Sequence, residues 1–162
     1  MEDDEGNLKD LGIKYFSHIF KDDNQSNILA QLNVIKLFPS MLTKEGADYL
    51  IEEVTIGEIE GALKTFKKDK TPGPDEWPVE FFLEFFDLIG GDLLNAVECS
   101  RLTGRVTPSL KYTFLSLIPE KNKPITFANY RPISLCNLVY KLITKIIALR
   151  LKPHLDKSIS HE

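Results

Sequence analysis

The sequence predicts an α+β fold that is mostly helical, and three observations carry that expectation. Apolar residues recur at helical spacing through most of the chain. Several of those stretches open on a Ser, Thr or Asp suited to cap a helix. One region differs: runs at about 112–118 and 129–134 are short, β-branched and aromatic, and read as strands.

In chain order, residues 8–20 place Leu8, Leu11, Tyr15, Phe16, Ile19 and Phe20 at helical spacing, a pattern that Gly12 weakens. The polar run at 21–27 breaks the chain. Ser26 or Asn27 then caps a second helix to about Leu37, and Thr43 a short one to about Leu50. Residues 54–59 spell a capping box. The Thr55 hydroxyl accepts from the Glu58 amide, the Glu58 carboxylate accepts from the Thr55 amide, and Val54 and Ile59 form the hydrophobic staple. Ile59, Ala62, Leu63 and Phe66 follow as one buried stripe.

Pro72 and Pro74 exclude helix from 67–75. Asp75 is placed to cap the next helix, with Pro78 in its first turn. Residues 77–89 form one helix carrying Trp77, Phe81, Phe82, Phe85 and Phe86, an aromatic cluster expected in the core. Gly90 and Gly91 end it, and another helix runs from about Asp92 to Leu102 with Gly104 as its stop. Pro132 donates no hydrogen bond, so the second strand lies at an edge or ends there. A last helix covers 137–152, turns Val139, Leu142, Ile143, Ile146 and Ile147 to the core, and stops at Pro153.

Composition narrows the function. With 43% hydrophobic and 27% charged residues, the chain of 162 is globular rather than disordered, sized for one domain or a large domain cut short. Two cysteines, Cys99 and Cys136, exclude a disulfide-rich module and a Cys-type zinc site, and His18, His154 and His161 lack ligand spacing. The acidic start lacks the basic and apolar character of a targeting signal, and no apolar run approaches the ~18 residues of a membrane span. The expectation is an intracellular protein, nuclear or cytoplasmic, with no membrane partner.

The net charge of −4 hides a gradient. Residues 1–60 carry 13 acids and 5 bases, residues 111–162 carry 3 acids and 9 bases. A basic final third suits nucleic acid, because field and contact are local; the alternative is ordinary solvated helix faces.

Three segments are more specific. KTPGPDEWPVEFF from Lys70 resembles the Pro-Gly-Pro-Asp-Gly segment of LINE-type (non-LTR) retrotransposon reverse transcriptases. LSLIPEKNKP from Leu115 resembles their Ile-Pro-Lys motif. NYRPISLCNLVYKLITKIIALRLKPHLDKSIS from Asn129 is similar to their Arg-Pro-Ile-Ser-Leu motif and the helix after it. Order and spacing match, over about 55–162, in a plant-like version of the family.

The resemblance implies the fingers subdomain of a polymerase right hand, with helices around a short antiparallel β-hairpin. Residues 1–54 would be an acidic helical N-terminal segment, and 55–162 the fingers region, truncated before the palm. It also implies that the hairpin closes over an incoming nucleotide, with a basic residue on each strand touching the triphosphate. The second of these is Arg131, whose planar fork suits phosphate oxygens; the alternative is a salt bridge at a strand edge.

The first position departs from the family. Glu120 stands where the family has Lys, with Lys121 one step later, and a one-residue slip on a strand turns a side chain to the other face. Glu120 would then set a carboxylate against a triphosphate, with Lys121 or Lys123 compensating only if the loop is flexible. Glu76 also departs, standing where the family has Gly. A positive φ there costs about 1–2 kcal/mol.

The family's catalysis uses Mg²⁺ held by palm aspartates that follow these motifs. No catalytic or metal-binding residue is therefore expected in this chain, and no cofactor. Phe20-Lys21-Asp22-Asp23 mimics an aromatic-x-Asp-Asp metal hairpin but precedes the fingers, so Asp22 and Asp23 read as a solvated loop. Lys141, Lys145 and Lys152 share a helical stripe that could track a phosphate backbone, or simply face solvent; Arg150 lies on the opposite side.

The reading is a fragment of a retrotransposon RNA-directed DNA polymerase, inactive alone. Its implied partners are RNA/DNA template-primer, dNTP and the missing palm domain. Self-association is expected through Leu149, Leu151 and Leu155, apolar residues the palm would cover. The alternative is a non-catalytic helical interaction module, or a retroelement relic without selected function.

Overall fold

The computed structural model describes residues 2–21 and 43–158. The helix expected to about Leu37, the caps Ser26 and Asn27, and Asp22 and Asp23 lie outside the described residues. The chain divides into two compact units, Met1–Pro39 with Leu117–Pro132, and Ser40–Ser116 with Ile133–Glu162. The described residues are mostly helical, with one two-stranded antiparallel sheet, so the α+β expectation holds.

In the first unit, helix α1 (Glu2–Ile19) begins earlier than its apolar spacing indicates. It accompanies the outer part of a hairpin made by β1 (Thr113–Pro119) and β2 (Tyr130–Cys136), with a 3₁₀ turn at Phe127–Asn129 between them. Phe16 is buried, its ring 6.1 Å from Phe127, and Tyr15 stacks on Phe127 at 5.5 Å. Gly12 has a packing role here: a Cβ would come within 3.3 Å of the Phe127 ring. The rest of the expected stripe is not core, since Leu8, Leu11, Ile19 and Phe20 are all at least half exposed.

The second unit holds α2 (Lys44–Ile51), α3 (Ile56–Lys64), α4 (Val79–Glu84), α5 (Phe86–Thr103), the single turn α6 (Pro108–Lys111) and α7 (Leu138–Ser158). Thr43 caps α2 by accepting from the Gly46 amide. The capping box of α3 is present in full, with Thr55 and Glu58 in reciprocal hydrogen bonds and Val54 and Ile59 both in the core. Ile59, Leu63 and Leu142 are wholly buried where α3 packs on α5 and α7. Each such side chain stabilises the fold by about 1.5–3 kcal/mol.

Five local expectations need correction. Gly90 and Gly91 do not end a helix. The break falls at Phe85, with φ −100° and ψ 17°, and α5 runs unbroken to Gly104, which caps it in the left-handed region as expected. Gly90 is buried in α5, where a Cβ would meet Ile56 Cδ1 at 3.3 Å. Close approach of α3 explains the glycine, and packing overrides its poor helix propensity.

Asp75 does not cap α4. Pro78 is the N-cap, without a side-chain bond, and Asp75 Oδ1 instead accepts from the Trp77 amide. Of the aromatic cluster, Phe82 is buried and Phe81 and Phe86 pack on the core, but Trp77 and Phe85 remain nearly half exposed. Finally, α7 continues through Pro153 to Ser158. The lost hydrogen bond is offset by packing of this last part on α2, where His154 lies beside Gly46 and Tyr49. Within α7, Leu142, Ile143 and Ile146 are buried and Val139 packs on the core, but Ile147 is 54% exposed.

Candidate nucleic-acid interface

The hairpin places the first set of expected residues. The Glu120 amide donates to the Asn129 carbonyl at 2.9 Å, extending the ladder just past β1. The connection is then shaped by Asn129, whose amide donates to the Thr126 carbonyl and whose side chain accepts from the Ile125 amide. Lys121 and Lys123 lie exposed in that loop, and Arg131 is the second residue of β2, also exposed. Pro132 is accommodated because each strand of a two-stranded sheet is an edge, and β2 continues to Cys136.

Glu120 has a partner. Its Oε1 accepts from Arg131 Nε at 3.0 Å, with side-chain exposures of 45% and 71%. The carboxylate therefore neutralises Arg131 across the strands. A pair this exposed contributes at most about 1 kcal/mol.

Helix α7 carries the second set. Lys141 and Lys145 are half-buried and Lys152 is exposed. The spacing does not reveal that Lys141 lines a cleft of about 150 Å³ together with Lys67, Lys70 and Trp77. The signal was present as the run Lys67-Lys68-Asp69-Lys70, but nothing local brings it to a helix 70 residues later.

Arg150 is the residue that sequence reasoning missed most clearly. It is buried rather than on an outer face, and all five of its N–H donors are used. Nε and Nη2 donate to Glu58 at 2.8 Å each, and Nη1 and Nη2 donate to the carbonyls of Leu50, Glu52 and Glu53 at the end of α2. One carboxylate thus caps α3 and anchors α7. The hydrogen bonds from Arg150 hold the Glu58 carboxyl below its ordinary range, against the opposing effect of partial burial. Arg101 does the same to Glu98, which also accepts from the Val54 amide.

A larger apolar cleft of about 400 Å³ is lined by Leu50, Val54, Val97, Ile143 and Ile146, with Arg101, Arg105 and Arg150 among its polar lining residues. Two of those arginines are held by Glu98 and Glu58. Among the described residues no group of three His, Cys, Asp or Glu side chains could hold a metal ion, and no helix is long and apolar enough to cross a membrane.

No family model matches the sequence. The chain is 29% identical over 161 residues to the Transposon TX1 uncharacterized 149 kDa protein of Xenopus laevis. The match covers 98% of this chain and 12% of that protein. The likeness supports a transposon-derived origin. The chain thus corresponds to a small part of a much longer transposon protein.

Proposed function

We propose that this chain is the fingers portion of a LINE-type retrotransposon reverse transcriptase, and that its hairpin holds phosphate. The observation that carries the reading is Arg131 on the second strand of an antiparallel hairpin whose loop bears Lys121 and Lys123. Support comes from the three motifs in order and from the transposon likeness along nearly the whole chain. Arg131 takes the phosphate oxygens of a nucleotide or template-primer strand, and Lys141, Lys145 and Lys152 add positive charge toward the backbone. Two-metal chemistry belongs to palm aspartates, with Mg²⁺ supplied there.

Magnitudes favour phosphate over Glu120 as the partner of Arg131. An exposed ion pair is worth at most about 1 kcal/mol, whereas a charge-assisted phosphate contact is worth about 1.5–3 kcal/mol. Glu120 then acts as a weak competitor. The same pair favours the second reading, a non-catalytic interaction module, if the guanidinium never leaves its carboxylate.

Fluorescence anisotropy with a labelled oligonucleotide and with a nucleoside triphosphate separates the two. Arg131→Ala is expected to weaken binding roughly tenfold or more, and Glu120→Lys to strengthen it, with affinity falling as salt rises. Arg105→Ala, the loss of an exposed arginine outside the hairpin, serves as the control. No loss with Arg131→Ala and no gain with Glu120→Lys would assign the hairpin to the interaction module. Arg150→Ala is unsuitable as a control, because Arg150 is buried and structural.

A further inference from the structure

The loop between α3 and α4 is held more firmly than its composition requires. It carries two residues other than glycine with left-handed backbone, Asp69 at φ 56° and Glu76 at φ 61°. Such residues persist only where their surroundings fix them, and they cluster at ligand sites. Here the Asp69 amide donates to Glu80 at 2.6 Å, the Asp75 amide donates to Asn137 Oδ1 at 3.1 Å, and the Glu76 amide closes a turn onto the Gly73 carbonyl. Gly73 lies so close to Cys136 and Asn137 that a Cβ would collide with their backbone. Asn137 is itself buried and donates to the Ser109 carbonyl. The loop is therefore locked onto the start of α7.

What this locking presents is the 150 Å³ cleft. Lys67 and Lys70 come from the loop, Lys141 from α7, and Trp77 closes it. Among the described residues none of the three lysines pairs with a carboxylate. Trp77 stays 48% exposed although its ring lies 4.0 Å from Phe81. The exposed part of the indole offers a surface on which a base can stack, and three unpaired ammonium groups around one cleft repel each other unless an anion joins them.

We propose that this cleft is a nucleotide-unit site for single-stranded nucleic acid: a base stacks on Trp77 while the adjoining phosphate is held by Lys67, Lys70 and Lys141. The size agrees with a ligand gripped one unit at a time, since 150 Å³ is well below the ~300–1,000 Å³ that encloses a whole small molecule. Base–aromatic stacking tolerates any base, so binding is expected to be independent of sequence and weakened by salt. The site shares Lys141 with the stripe proposed above but uses neither Arg131 nor its loop, so it does not depend on the hairpin reading, and Lys70→Ala tests it apart from that stripe.

Trp77 is the single tryptophan of the chain, so its emission reports this site alone. The full 162-residue chain is titrated with a dT homopolymer of about ten nucleotides, with anisotropy of a labelled strand establishing saturation. Quenching of Trp77 emission is expected at saturation, with the same amplitude in Arg131→Ala. Lys70→Ala and Lys141→Ala are each expected to weaken the quenching transition roughly tenfold, with circular dichroism unchanged. Inorganic triphosphate should compete without quenching, having no base. Saturated binding without quenching would overturn the proposal. So would quenching untouched by both lysine variants, or equal quenching by a poly-Glu peptide, which would assign the cleft to an acidic protein.

Discussion

Arg150 and Glu58 show how a single pair joins three helices. With one side chain 6% exposed and the other 30%, the pair is only partly desolvated, and every guanidinium donor is satisfied. Removing Arg150 takes the guanidinium from three carbonyls and leaves the Glu58 carboxylate with only its bonds from Thr55. Arg150→Ala is expected to destabilise the chain by about 3 kcal/mol, read from the urea midpoint, and Arg150→Lys to recover only part, since an ammonium lacks the fork.

The pH dependence follows from the same pair. The Glu58 carboxyl titrates below its ordinary value near 4.5, so the unfolded chain binds more protons than the folded one in that range. Its contribution is present above about pH 4.5 and is lost as pH falls through the depressed value. Arg150→Ala should flatten that part of the stability profile. Glu76 offers the opposite test: at φ 61°, Glu76→Gly relieves about 1–2 kcal/mol of strain and returns part of it as chain entropy. A higher melting temperature is expected, and an unchanged or lower one would refute the strain.

At the scale of elements, α5 is informative because its two adjacent glycines differ. A Cβ at Gly91 meets nothing within 4 Å, whereas one at Gly90 crowds Ile56 and the Phe86 ring. Gly91→Ala is expected to add about 0.5–1 kcal/mol through helix propensity and chain entropy, and Gly90→Ala to bring no gain. Thermal denaturation of the two variants checks this directly. The hairpin makes a related point. Glu120 and Arg131 lie on different sides of the connection and meet only because the ladder extends to Asn129. Whether that carboxylate neutralises Arg131 or opposes a ligand is a property of strand pairing, not of either motif.

For the whole molecule, two expectations remain to be measured. On the proposed fingers reading, primer extension by this 162-residue chain with Mg²⁺ or Mn²⁺ is expected to be absent, because the two metal ions of such chemistry would be held by palm aspartates. Extension that depends on Asp22 and Asp23 would overturn that view. Self-association is expected to rise with concentration in sedimentation experiments, since Leu149 and Leu155 on α7 and Leu8, Leu11 and Ile13 on α1 are exposed. A monomer at high concentration would show that these faces need no cover.

The sequence alone determined whatever rests on neighbours along the chain. The capping box at Thr55 and Glu58, the Thr43 cap, the Gly104 stop and the two strands are set within a few residues, by hydrogen-bonding geometry and steric limits. The tertiary structure alone decided what depends on partners far apart in sequence. It carried α5 through two glycines and α7 through Pro153, because packing outweighs local propensity there. It buried Arg150 on Glu58, 92 residues away, and brought Lys141 to Lys67, Lys70 and Trp77. Helical periodicity assigns a residue to a face; only the packed chain shows what that face meets.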